Sequence, residues 1–109
     1  MNKPKLSLGS WAFSFGPFSE NPWPFSSVLQ FIADAGYDGV EINGFRPHPH
    51  PDDYDTPAKC KELMKEIEGY GLGVSGYAPS FVEVPPAEVT PEDYLRYFVK
   101  AWLFVLIVG

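Results

Sequence analysis

The chain has one cysteine, Cys60, in 109 residues, so no disulfide can form within it. That fits a reducing compartment. Cys60 falls inside an expected helix with no histidine or second cysteine beside it, which reads as a packing residue rather than a reactive thiol. Basic residues are few as well. Eight Lys and Arg stand against fourteen Asp and Glu, for a formal net charge of −6. They form no cluster, and without a basic face the electrostatic footprint of a nucleic-acid binder is missing. Long apolar runs are also scarce. The basic N-terminal stretch is not followed by the apolar core of a secretory signal. The longest run, from Ala101 to Val108, is well short of the roughly 20 residues a membrane-spanning helix needs. A cytoplasmic protein is the expectation, with no membrane or nucleic-acid partner.

What the chain does have is aromatic residues and proline: nine Phe, six Tyr, three Trp and twelve Pro. The prolines gather around Pro17–Pro24, Pro47–Pro57 and Pro79–Pro91, which marks three loops, since proline removes a backbone donor. Strands and helices alternate between them. Lys5–Phe13 reads as a strand, with Leu6, Leu8 and Ala12 on one face and Trp11 and Phe13 on the other. Phe25, Val28, Leu29, Ile32 and Ala35 form one helical stripe, closed by Gly36 at a left-handed cap. Gly39–Asn43 is a second strand. Thr56 and Pro57 open a second helix as N-cap and first helical residue, with Cys60, Leu63, Met64 and Ile67 inward. Leu72–Ala78 is a third strand. Thr90 and Pro91 open a third helix, with Asp93 placed for a capping box. Tyr94, Leu95, Phe98 and Trp102 are its expected buried face.

The string Gly36-Tyr37-Asp38-Gly39-Val40-Glu41 is echoed at Gly69-Tyr70-Gly71-Leu72-Gly73-Val74, where a helix again gives way to a strand. Long loops follow the strands and short ones follow the helices. The expected fold class is α/β, a partial (β/α)8 TIM barrel: its first three βα units, with parallel strands buried on both sides. A closed barrel takes eight units and about 250 residues.

The segment Ala35-Gly36-Tyr37-Asp38-Gly39-Val40-Glu41-Ile42 resembles the second-strand signature of the xylose isomerase-like barrels. The first strand and the Gly69–Val74 turn are similar to that family's corresponding parts. The loop with His48 and His50 resembles the sugar phosphate isomerase/epimerase branch. The resemblance covers roughly residues 5 to 101 and implies that residues 1–109 are the N-terminal part of such a barrel. It implies a whole protein that isomerises or epimerises a sugar or sugar phosphate, with room for an oligomer. A divalent metal (Mn, Mg, Co or Zn) and a pair of Glu would carry the proton transfer. Those ligands belong to later strands of the family, so no catalytic or metal residue is carried over, no cofactor is expected for this piece, and it should be inactive alone. The unbroken apolar run after Lys100 departs from the family and suggests truncation or a shifted reading frame near Ala101.

The substrate-contacting candidates are Trp11, Phe13, Glu41, Asn43, Arg46, His48, His50 and Tyr77. Trp11, Phe13 and Tyr77 end strands, where an aromatic can pack on a sugar or simply fill the core. Glu41 reads equally as a contact to substrate, direct or one residue removed, and as half of an internal ion pair. Arg46 matches phosphate geometry. His48 and His50, in Arg46-Pro47-His48-Pro49-His50-Pro51, read as substrate contacts or as solvated loop residues. A shared metal is disfavoured, because polyproline geometry turns alternate residues about 120° apart. Two other readings stay open: a small aromatic-rich carbohydrate-binding module without catalysis, and a membrane-associated protein cut short in its first span.

Overall fold

The computed structural model describes residues 3–80 and 88–108, the last three by backbone alone. It is a mixed α/β fold. Three strands, β1 (Ser7–Gly9), β2 (Gly39–Asn43) and β3 (Gly73–Ala78), lie in one sheet in the order β1-β2-β3. Both pairings are parallel. Three helices alternate with them: α1 (Phe25–Asp34), α2 (Pro57–Gly69) and α3 (Pro91–Val108). Most of the expected loop Pro79–Val89 and the terminal Gly109 lie outside the described residues. Among the described residues no helix is long and apolar enough to cross a membrane.

The core forms on one face of the sheet. Val40 and Ile42 are fully buried there, against Val28, Leu29 and Ile32 of α1 and Cys60, Leu63 and Ile67 of α2. Leu8 and Val74 flank them at the same level. Cys60 is inert: burial pushes its thiol up, and its Sγ donates to the Tyr54 carbonyl. The helix ends follow their capping residues. Thr56 accepts the Lys59 N–H at 3.3 Å and Thr90 the Asp93 N–H at 3.1 Å. Gly36 and Gly71 end α1 and α2 at φ +86° and +76°, where a side chain would be strained. Ala35 is the exposed C-cap of α1 rather than part of its stripe.

Two elements differ from the sequence reading. The first strand stops at Gly9, and Ser10–Phe13 wind into a 3-10 turn. The cause is local: the Asn43 N–H, which would extend the ladder, is taken at 2.8 Å by the Ser10 hydroxyl. Leu6, ahead of the strand, is exposed. In α3 the buried residues are Tyr97, Ala101 and Phe104, while Leu95, Phe98 and Trp102 are about half exposed. Beyond Tyr94 this helix is apolar on nearly every side, so spacing alone leaves several stripes open. Contacts choose among them: Phe104 packs on Tyr54 and Tyr77, Tyr97 reaches His50, and Lys100 pairs with Asp52 at 3.0 Å.

Candidate functional site

Among the described residues the sheet's other face carries no helix. Ser7, Gly39, Glu41, Ser75 and Gly76 belong to it. The Ser7 and Ser75 hydroxyls meet at 2.6 Å, and Gly39 and Gly73 are paired in register beside them. A register shift in β3 between the partners of Val40 and Glu41 accommodates Ser75 as an extra residue, and places Gly76 beside Glu41. Glu41 therefore stands between two glycines, Gly9 on β1 and Gly76 on β3. A Cβ at Gly76 would lie 3.6 Å from the Glu41 Cγ, in ordinary contact. A Cβ at Gly9 would overlap the Trp11 indole, which lies over that glycine. The result is a half-buried carboxylate on β2 and a half-exposed indole, from the turn that follows β1, on one open face. No ion pair holds Glu41 among the described residues, so the internal-pair reading finds no partner there.

Behind this face, at the carboxyl ends of β1 and β2, sits a buried polar network. His48 is 1% exposed, so it is not a solvated loop residue. Its Nε2 lies 2.9 Å from the Trp23 carbonyl, which can only accept, so Nε2 carries the proton. Nδ1 then accepts from the Ser10 hydroxyl at 3.0 Å. Ser10 in turn accepts the Asn43 N–H. Burial holds the imidazole below its usual range, against the opposing pull of the Trp23 carbonyl. The Asn43 amide donates to the Ser14 hydroxyl at 3.3 Å and accepts the Phe45 N–H at 3.0 Å, pinning the loop that follows β2.

The remaining candidates are occupied elsewhere. His50 is 2% exposed; its Nδ1 accepts the Asp52 N–H, and its Nε2 lies 3.4 Å from the Tyr97 hydroxyl. The loop around both histidines folds as turns rather than as polyproline helix, which is what buries them. Arg46 is engaged by Asp53 at 3.0 Å. Phe13 packs inward, stacked on Trp23 at 4.9 Å and edge-on to Phe31 at 5.3 Å. Tyr77 faces the helices, edge-on to Phe104 at 4.8 Å. Its hydroxyl is buried without a partner among the described residues, and burial pushes the phenol well above its ordinary range. Of the eight candidates, Trp11 and Glu41 come together on the open face, while Asn43 and His48 support it from behind. Ser10, Ser14 and Tyr97 are hydrogen-bond neighbours of these candidates that sequence reading passed over. Tyr97 had a signal, standing four residues before Ala101 and seven before Phe104 on a stripe of its own.

A larger cleft of about 540 Å³ opens at the amino ends of the strands, lined by Lys5, Ser7, Asp38, Gly71 and Ser75. Its size reflects an uncovered sheet end. Ligands of parallel α/β sheets bind at the carboxyl ends, where Trp11, Asn43 and His48 lie. Among the described residues the donor set for the divalent metal implied by the family resemblance is not found. No group of three His, Cys, Asp or Glu could hold an ion among the described residues, and both histidines spend their ring nitrogens on protein partners. No family model, curated protein or solved structure matches the chain.

Proposed function

We propose that this chain forms one wall of a (β/α)8 barrel of the sugar phosphate isomerase/epimerase kind, with its helix-free face turned toward the barrel axis. The observation that carries the reading is the pairing of Glu41 with the Trp11 indole on that face, with glycines on either side of the carboxylate. A sugar presents hydroxyls along its rim and C–H groups on its faces. A carboxylate accepts from the first, and an indole packs against the second. Consecutive parallel strands with helices on one side, and long loops after each strand, support the same reading.

In the whole barrel, proton transfer between aldose and ketose, or between epimers, would be done by paired Glu. A divalent metal would be held by strands outside this chain. Here Trp11 and Glu41 orient the substrate, and Asn43 holds the loop above them. The chain alone is expected to bind sugars weakly and to isomerise none.

Tryptophan emission of the chain, titrated with aldoses, ketoses and their phosphates, tests this. Saturable changes in the millimolar range, abolished by Trp11→Ala and strongly weakened by Glu41→Gln, are expected. The absence of any saturable response, or one indifferent to both substitutions, sinks the sugar reading. The coding sequence beyond codon 109 tests the barrel. Five further βα units with Glu, Asp, His and Glu at strand ends are expected, in the present frame or a shifted one.

A further inference from the structure

We infer that neutral His48 is the positioning residue of the open face, acting through Ser10 to hold the 3-10 turn that lays the Trp11 indole over Gly9. The chain of bonds runs without a gap. The Trp23 carbonyl takes the Nε2 proton, Nδ1 takes the Ser10 hydroxyl, and Ser10 takes the Asn43 N–H that would otherwise belong to the sheet ladder. Trp11 is the next residue, and its carbonyl closes the turn by accepting the Ser14 N–H at 3.1 Å. A second proton on His48 breaks the sequence at one point. Nδ1 and the Ser10 hydroxyl would both be donors, so the hydroxyl must rotate and lose its acceptor while both side chains are buried.

Among the described residues nothing charged offsets the imidazolium. Facing His48 are Ser10 from the turn, the Trp23 carbonyl, and the Phe25 ring of α1 at 5.5 Å; its own N–H is taken by Phe45 O. The charged groups and the second histidine of its loop are engaged elsewhere, Arg46 with Asp53, Asp52 with Lys100, Asp55 with Lys59, and His50 with the Asp52 N–H and Tyr97. The indole's environment therefore follows the His48 proton. Use of the face for sugar rests on the reading above, whereas the positioning is read without any ligand.

The test follows the indole N–H resonances of the full chain between about pH 7.5 and 5, assigned with Trp11→Phe. In the wild type the Trp11 signal is expected to move with a midpoint below 6.5, while the half-exposed Trp102 stays in place. His48→Gln, whose amide can donate to Trp23 and accept from Ser10, keeps the Trp11 signal near its neutral position and removes the pH response. Ser10→Ala displaces the signal at every pH and also removes the response. A pH-invariant Trp11 in the wild type overturns the inference. So does a response surviving in His48→Gln or Ser10→Ala, or a collapsed indole spectrum at neutral pH.

Discussion

At the scale of single residues, the Tyr77 hydroxyl is a clear cost, being buried with no hydrogen-bond partner among the described residues. An unsatisfied buried hydroxyl is destabilising, so Tyr77→Phe is expected to leave stability unchanged or raise it by up to about 1–2 kcal/mol, read from the denaturation midpoint. A clear loss would mean that the hydroxyl has a partner. His48 contributes with the opposite sign. Its pKa is lowered on folding, so the unfolded chain takes up the proton first. The stability it supports is complete above 6.5 and declines as pH falls through the lowered value. Chemical denaturation across that window should show the decline in the wild type and a flatter profile in His48→Gln. Sequence spacing singled out both histidines but not their burial. Turn formation and a hydroxyl 38 positions away decide that, and neither leaves a local signature.

At the scale of elements, β2 and the buried stripe of α2 were plain in the sequence, because each has one apolar face and recognisable ends. The end of the first strand and the buried face of α3 were not. The strand is cut short by a side chain that takes a ladder hydrogen bond, and the helix carries more apolar surface than one interface uses. The junction of β2 with its loop is tight for a reason the sequence also hides. A Cβ at Gly44 would overlap the Tyr77 hydroxyl and stand 3.1 Å from the Ala78 carbonyl. Gly44→Ala should cost about 1–3 kcal/mol. Adding Tyr77→Phe should recover part of it, a coupling that a double-mutant cycle in urea would read. Full additivity would mean that the alanine is accommodated without touching the ring.

At the scale of the whole molecule, three strands share one core, and among the described residues no strand pairs with either outer edge and no helix covers the second face. Leu95, Phe98, Val99, Trp102 and Leu103 add an exposed apolar surface along α3. Such a patch promotes association, so Phe98→Glu with Trp102→Lys is expected to reduce light scattering and hydrophobic-dye binding without lowering the denaturation midpoint. A matching loss of stability would show instead that these side chains hold the fold together. The alternation behind the architecture was legible in the sequence. The pairing of Trp11 with Glu41 was not, because it depends on how three strands are aligned rather than on any one of them. The irregularity in β3 has an outcome of the same origin for length variation. With Ser75 excised, the remaining residues would alternate regularly and every later side chain would keep its side of the sheet, so that deletion should be tolerated. Excising Gly76 in its place, with Ser75 free to slide into the vacated slot, should be tolerated as well, whereas losing both would invert the strand and carry the Tyr77 ring out onto the open face beside Glu41.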